Sequence, residues 1–315
     1  MSRNTKTSSL TEAAMICGIL VLMSMVSFYV LPFIDFLFPI PAIILGKRRG
    51  YKYSALSLVS ASFIIMMLLG VPMGFMYLFM YTPIAIAMSY LIFKDKKPST
   101  VIIGGAIVML ISLIFVLFVL NVVTGVDVAE EISTLFNTTI EMQKNIMNTV
   151  GVDEEQLNLI TQTYSMLSEY IVLMMPVALI LISALVAVIN YFIVQRLALR
   201  FKIVIRPLQD LSKFYLPNSF MLGIGLLVIL SYALSMMNFN NMDIVLVNIV
   251  TLSRIALLVH GLALVKYYFI KNNVNNFLRV IIFMIIIFMP LASSIMTMLA
   301  IVDLIFDFRK LRVKR

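Results

Sequence analysis

The sequence predicts an all-α, polytopic transmembrane helical bundle of about nine membrane segments (eight to ten) with an external amphipathic helical hairpin. Three observations predict it. Hydrophobic residues make up 62% of the 315 residues and charged residues 12%, against about half and about a quarter in a soluble domain. The apolar residues fall into runs of about 20, the length that crosses a hydrocarbon core of roughly 30 Å. The basic residues gather in alternate connections between those runs, as they do in membrane chains of fixed orientation. A soluble enzyme has no core that could enclose so much apolar side chain. A disordered chain needs the reverse balance, low hydrophobicity with high charge.

Residues 12–31 form the first run. Ser9 and Glu12 stand before it in Ser-x-x-Glu spacing, which predicts a capping box at the helix start. No small-residue cleavage site follows, so the run is expected to stay as an anchor. A shorter run, 33–46, is broken by Pro39 and Pro41, and 53–70, 72–93 and 101–124 follow. The stretch 125–168 is polar but periodic. Val128, Ile132, Leu135, Phe136, Ile140, Met142, Ile146, Met147 and Val150 share one helical face. Gly151 interrupts that pattern, and Asp153 with Gln156 predicts a capping box for a second helix. Leu157, Ile160, Tyr164, Leu167 and Ile171 continue it at three-four spacing. This hairpin is expected to cover the bundle, with a lid or a partner-docking arm as the functional version. Apolar runs resume at 170–194, 218–236 and 244–268, and the last, 277–306, carries Pro290 near its middle. The organisation is then a six-segment half (1–194), a basic connector (195–216) and a C-terminal membrane half with a basic tail (217–315).

With the N-terminus cytoplasmic and sides alternating, 22 of the 24 Lys and Arg fall on inner connections. The exceptions are Lys144 and Arg254. The outer stretch 125–168 instead carries Asp127, Glu130, Glu131, Glu141, Asp153, Glu154 and Glu155. This segregation accounts for the net charge of +9 as the topology of a multi-pass cell-membrane protein, without a nucleic-acid partner. The last run is ambiguous. One kinked helix would leave the basic tail from Arg309 outside, whereas a hairpin at Pro290 would return it to the cytoplasm. The positive-inside rule favours the hairpin.

A single cysteine, Cys17, and a single histidine, His260, cannot build a metal cluster. There is no P-loop, no Ser-His-Asp arrangement and no carboxylate pair within a run, so no enzyme activity and no cofactor are expected. Arg254 is the most informative residue. It lies at mid-membrane, where an arginine costs roughly 2.5–3.5 kcal/mol on insertion scales and marks a functional site by default. Thr251 lies near its helical face. Asp303 in the last run is the candidate partner for an internal lock, and an anionic ligand held bidentately is the alternative. His260 reads as an interhelical hydrogen-bonder or, less simply, a proton relay. Asp35, between the first two runs, reads as an interface residue. Ala14 and Gly18 stand one turn apart, the small-xxx-small spacing that lets helix backbones approach closely.

The motifs Leu10-Thr11-Glu12-Ala13-Ala14, Phe38-Pro39-Ile40-Pro41-Ala42, Arg48-Arg49-Gly50, Leu216-Pro217, His260-Gly261-Leu262-Ala263, and Asp303 with Asp307-Phe308-Arg309 resemble the YybS-like family of uncharacterised bacterial membrane proteins. That family's pattern has Gln where His260 stands. The first six segments are also distantly similar to the substrate-binding subunits of energy-coupling-factor vitamin transporters and to the rod-shape protein MreD. The first likeness implies a small-molecule-binding transport subunit without its own ATPase, with Ala14 and Gly18 docking a membrane coupling protein. The second implies a non-transporting scaffold of a cell-envelope complex. The segments after 200 belong to neither six-helix form.

Overall fold

A computed structural model describes residues 3–150, 154–217, 219–237 and 242–311, and among these every regular element is helical. Thirteen α-helices are named here in chain order: α1 Arg3–Tyr29, α2 Pro39–Arg49, α3 Tyr51–Leu69, α4 Val71–Met76, α5 Thr82–Phe93, α6 Pro98–Thr124, α7 Val128–Val150, α8 Glu154–Leu173, α9 Met175–Arg200, α10 Ser219–Met236, α11 Met242–Lys271, α12 Asn276–Phe288 and α13 Pro290–Phe306. They form two compact units. Unit 1 is Met1–Val172 with Ala178–Leu208, and unit 2 is Leu173–Val177 with Gln209–Arg315.

Among the described residues, seven stretches, α4 through α5 counting as one, are long and apolar enough to cross a membrane, and the bent pair α12–α13 is an eighth candidate. That is fewer than the central expectation of nine, and only with the bent pair counted does it reach eight, the lower end of the expected eight to ten. The difference lies in 33–46. Pro32, Pro39 and Pro41 each lack an N–H, and the chain divides there into a 3-10 helix, Pro32–Leu37, and the 11-residue α2. Neither piece spans a membrane alone at 1.5–2 Å per residue.

The expected capping box at Ser9 does not form. Helix α1 begins six residues earlier, at Arg3, and Glu12 has another partner. Its carboxylate accepts Arg49 Nε at 2.6 Å and lies 3.0 Å from Arg48. Lys47 pairs with Asp95 at the same end of α2. The connections predicted to be cytoplasmic thus meet at one end of unit 1. The turn into α3 passes through Gly50 at φ +104, a conformation that favours glycine.

Between these ends unit 1 is filled by large side chains. Phe38, Ile43, Leu58, Ile65, Tyr77, Ile84, Met88, Met109 and Tyr191 are fully buried. Helices α4 and α5 are joined by a π-helical turn, Tyr77–Tyr81, because Pro83 removes a donor from the normal ladder. Tyr77 C=O there accepts both Thr82 N–H and, at 3.0 Å, the Thr82 hydroxyl.

The polar stretch is two helices, α7 and α8. Asp127 caps the first, its carboxylate accepting Ala129 N–H at 2.8 Å. Ile132, Phe136, Ile140 and Met147 turn inward, but Leu135, Met142 and Ile146 are exposed. The apolar face read from the sequence is therefore wider than the face that packs. Gly151 and Asp153, on which the second capping box depends, lie outside the described residues, as do the tail residues Arg312–Arg315. Helix α8 does not run unbroken into α9. A turn at Met174, before Pro176, separates them.

In unit 2, α12 and α13 meet at Pro290 with a bend of 97°. Arg279, near the start of α12, donates to Phe269 C=O at the end of α11. Arg309, just after α13, bonds the connector at Ser212 and Phe214. Asp210 in that connector pairs with Lys266, again at the end of α11. Both ends of the pair therefore lie at the same end of α11, the course of a re-entrant hairpin. At 13 and 17 residues each arm is shorter than the ~20 residues a span requires.

Candidate functional site

Unit 2 buries three groups together: His260 on α11, Asp303 on α13 and Arg309 just beyond it. The side chains of all three are fully enclosed. Leu216 N–H donates to His260 Nδ1 at 3.2 Å, so Nδ1 is an acceptor and the ring carries its proton on Nε2. Nε2–H then donates to Asp303 Oδ2 at 2.8 Å, and Arg309 Nη2 lies 2.9 Å from the same ring nitrogen. The same oxygen accepts Arg309 Nη2 at 2.9 Å and Nε at 3.1 Å. Asp303 Oδ1 accepts Phe308 N–H at 3.0 Å. Arg309 Nη1 donates to Ser212 C=O at 3.1 Å and Phe214 C=O at 2.9 Å. The guanidinium lies 5.4 Å over the Tyr215 ring, whose hydroxyl donates to Asp303 C=O.

This arrangement replaces the expected Arg254–Asp303 lock. Asp303 is committed to Arg309 and His260. Arg254 is exposed and donates to the Ser294 hydroxyl at 3.1 Å. The reason is geometric. Asp303 and Arg309 are six residues apart, and the left-handed Asp307 (φ 48) ends α13 and folds the chain back between them. Thr251 is half-buried one turn before Arg254 and has no hydrogen bond to it. His260 is an interhelical hydrogen-bonder in the cluster. Ala14 and Gly18 lie on an exposed face of α1, and a side chain at Gly18 would meet nothing within 4 Å.

Sequence reasoning did not find Arg309 as a site residue, although its signal was the short spacing Asp303…Asp307-Phe308-Arg309. It also missed Asn248. This buried carboxamide accepts Val177 N–H at 2.7 Å and donates to Leu173 C=O at 2.8 Å, bracing the break before Pro176. In unit 1 it missed Asn190, which donates to Phe36 C=O at 2.8 Å. Asp35 likewise does more than sit at an interface, since it accepts the Tyr77 hydroxyl.

At the connector end of α11, a half-open cavity of about 560 Å³ is lined by Gln209, Ser212, Lys213, Tyr215, Tyr267, Ile270, Lys271, Arg309 and Leu311. Asp210 stands beside it. Partial burial pushes this carboxyl up, but hydrogen bonds from Ser212 and the Lys266 ammonium at 3.0 Å outweigh that and hold it at about 2. Arg309 forms a wall of the cavity with its charge already balanced by Asp303.

Comparison with known proteins agrees with this all-helical membrane architecture. The chain is 24% identical to the uncharacterized protein YybS of Bacillus subtilis (strain 168) over 234 residues, covering 72% of this chain and 74% of that protein. No solved structure matches it. The family model described as "Predicted membrane protein (DUF2232)" matches residues 15–304, so the chain belongs to that family of membrane proteins.

Proposed function

We propose that this protein is a small-molecule-binding component of a membrane transport system, without an ATPase of its own. The observation that carries this reading is Arg254. It stands near the middle of the 30-residue α11, exposed, and bonded to Ser294. A guanidinium facing lipid at that depth is expensive, so an intramembrane arginine persists where it meets an anion, a carboxylate or water. Ser294 stands one turn into α13, just past the 97° break. Broken helices with irregular backbone at membrane depth are tolerated where they line a cavity, and transporters bind substrates at such breaks. The ligand for Arg254 is therefore an anion, and the N-terminus of the chain is cytoplasmic.

A second reading, a scaffold of a cell-envelope complex, draws on the exposed Ala14–Gly18 face. Both readings give that face a membrane partner. Purification in mild detergent followed by native mass spectrometry separates them. Transport predicts an anionic small molecule bound to the wild type and absent from Arg254→Gln, together with an ATPase-linked coupling subunit. Co-purifying cell-wall synthesis or division proteins, with no small ligand, would replace it with the scaffold.

A further inference from the structure

The cavity at the connector end of α11 has no part in the Arg254 reading and stands or falls apart from it. Its charge is unbalanced. No carboxylate is among its lining residues. Arg309 is neutralised by Asp303, and the neighbouring Lys266 by Asp210. Lys213 and Lys271 remain. Both are exposed, and neither pairs with a carboxylate among the described residues; the Lys271 ammonium sits 5.9 Å over the Tyr268 ring. Two uncompensated ammonium groups match a dianion. The volume, about 560 Å³, is that of a site for an organic ligand. Tyr215, Tyr267, Ile270 and Leu311 offer rings and apolar surface to the rest of such a molecule.

We propose that this cavity binds a phosphomonoester, with Lys213 and Lys271 on the phosphate and Tyr267 and Ile270 against the organic part. At pH 7 a phosphomonoester carries a charge of about −1.5 to −2, which the two lysines balance. The position at the end of a membrane helix admits two sources, a phosphatidate headgroup and a soluble phosphate ester.

The test uses the full chain in neutral detergent and in phosphatidylcholine nanodiscs, reading the melting temperature. Glycerol 3-phosphate is titrated in the first and phosphatidate is included in the second. Stabilisation by glycerol 3-phosphate supports the proposal and names a soluble ligand; stabilisation by phosphatidate alone supports it and names a lipid. The Lys213→Gln/Lys271→Gln variant should weaken the response roughly tenfold or more, by the usual strength of charge-assisted hydrogen bonds. Binding should also weaken from pH 7.5 to pH 5, as the ester takes up its proton near a pKa of about 6. Arg254→Gln should keep the response, which separates this site from the intramembrane one. No shift with either probe, an undiminished shift in the double variant, or an equal shift with the diester phosphatidylglycerol would overturn it. Should the double variant lose its unliganded melting transition, Lys271→Gln alone carries the same comparison.

Discussion

At the residue scale, Arg309 is the side chain on which unit 2 depends most. Its N–H groups reach Asp303, Ser212 and Phe214, tying α13 to the connector. Removing one member of a buried ion pair strands the other, at about 3–5 kcal/mol. Arg309→Ala should therefore lower thermal stability in detergent by an amount of that size. Adding Asp303→Leu should recover only part, because the two connector carbonyls stay unpaired. His260 provides one acceptor and one donor, and a glutamine amide carries both. His260→Gln should keep most of the stability, whereas His260→Leu should lose about 1–3 kcal/mol through the Leu216 N–H and Asp303 it leaves short. Equal loss in both variants would mean that ring packing against Tyr215 matters more than the hydrogen bonds. Asp210 makes a pH-dependent contribution. Its folded pKa of about 2 lies below the ordinary ~3.9, so it stabilises the fold above the ordinary value. That contribution fades as pH falls through the folded value. The stability difference between wild type and Asp210→Asn should be constant above about pH 4 and vanish towards pH 2.

At the scale of elements, the breaks in the long helices carry the information. Pro176 opens the ladder between α8 and α9, and Asn248 fills the opening from α11. Asn248→Leu should cost about 1–3 kcal/mol by stranding Val177 N–H and Leu173 C=O, with faster hydrogen exchange around residue 177 as its local signature. Unchanged exchange there would mean that the backbone closes its own turn. At Gly261, α11 lies close against α13, and an added Cβ would lie 2.7 Å from Met296 C=O. Gly261→Ala must push the two helices apart, and overpacking of this kind costs about 1–3 kcal/mol. The same backbone contact keeps α13 beside α11 as the second arm of the hairpin.

At the scale of the whole molecule, the charge segregation makes a topological prediction. In a Cys17→Ser background, a cysteine at Glu141 should react with an impermeant reagent on intact cells. A cysteine at Lys202 should react only after permeabilisation. The reverse pattern would invert the orientation, and with it the assignment of the connector to the cytoplasm. What the sequence by itself determined was the class of the molecule and the position of most helices. Apolar runs of about 20 residues allow few other uses, and the two proline-rich interruptions, near Pro39 and at Pro290, are local chemistry that the chain states openly. His260, which joins the buried cluster, was legible for the same reason, and Arg254, Ala14 and Gly18 stand out against apolar helices as candidates only. What only the tertiary structure decided was pairing. Asp303 could be assigned to Arg254 because both stand inside apolar runs and the sequence does not show where Arg309 returns. The bend at Pro290 and the left-handed Asp307 turn Arg309 back onto Asp303 instead. Asn248 and Asn190 are unremarkable in the sequence, because their roles depend on which backbone groups other helices leave open. Spacing along one helix records its faces, whereas a hydrogen bond between helices needs the three-dimensional course of both.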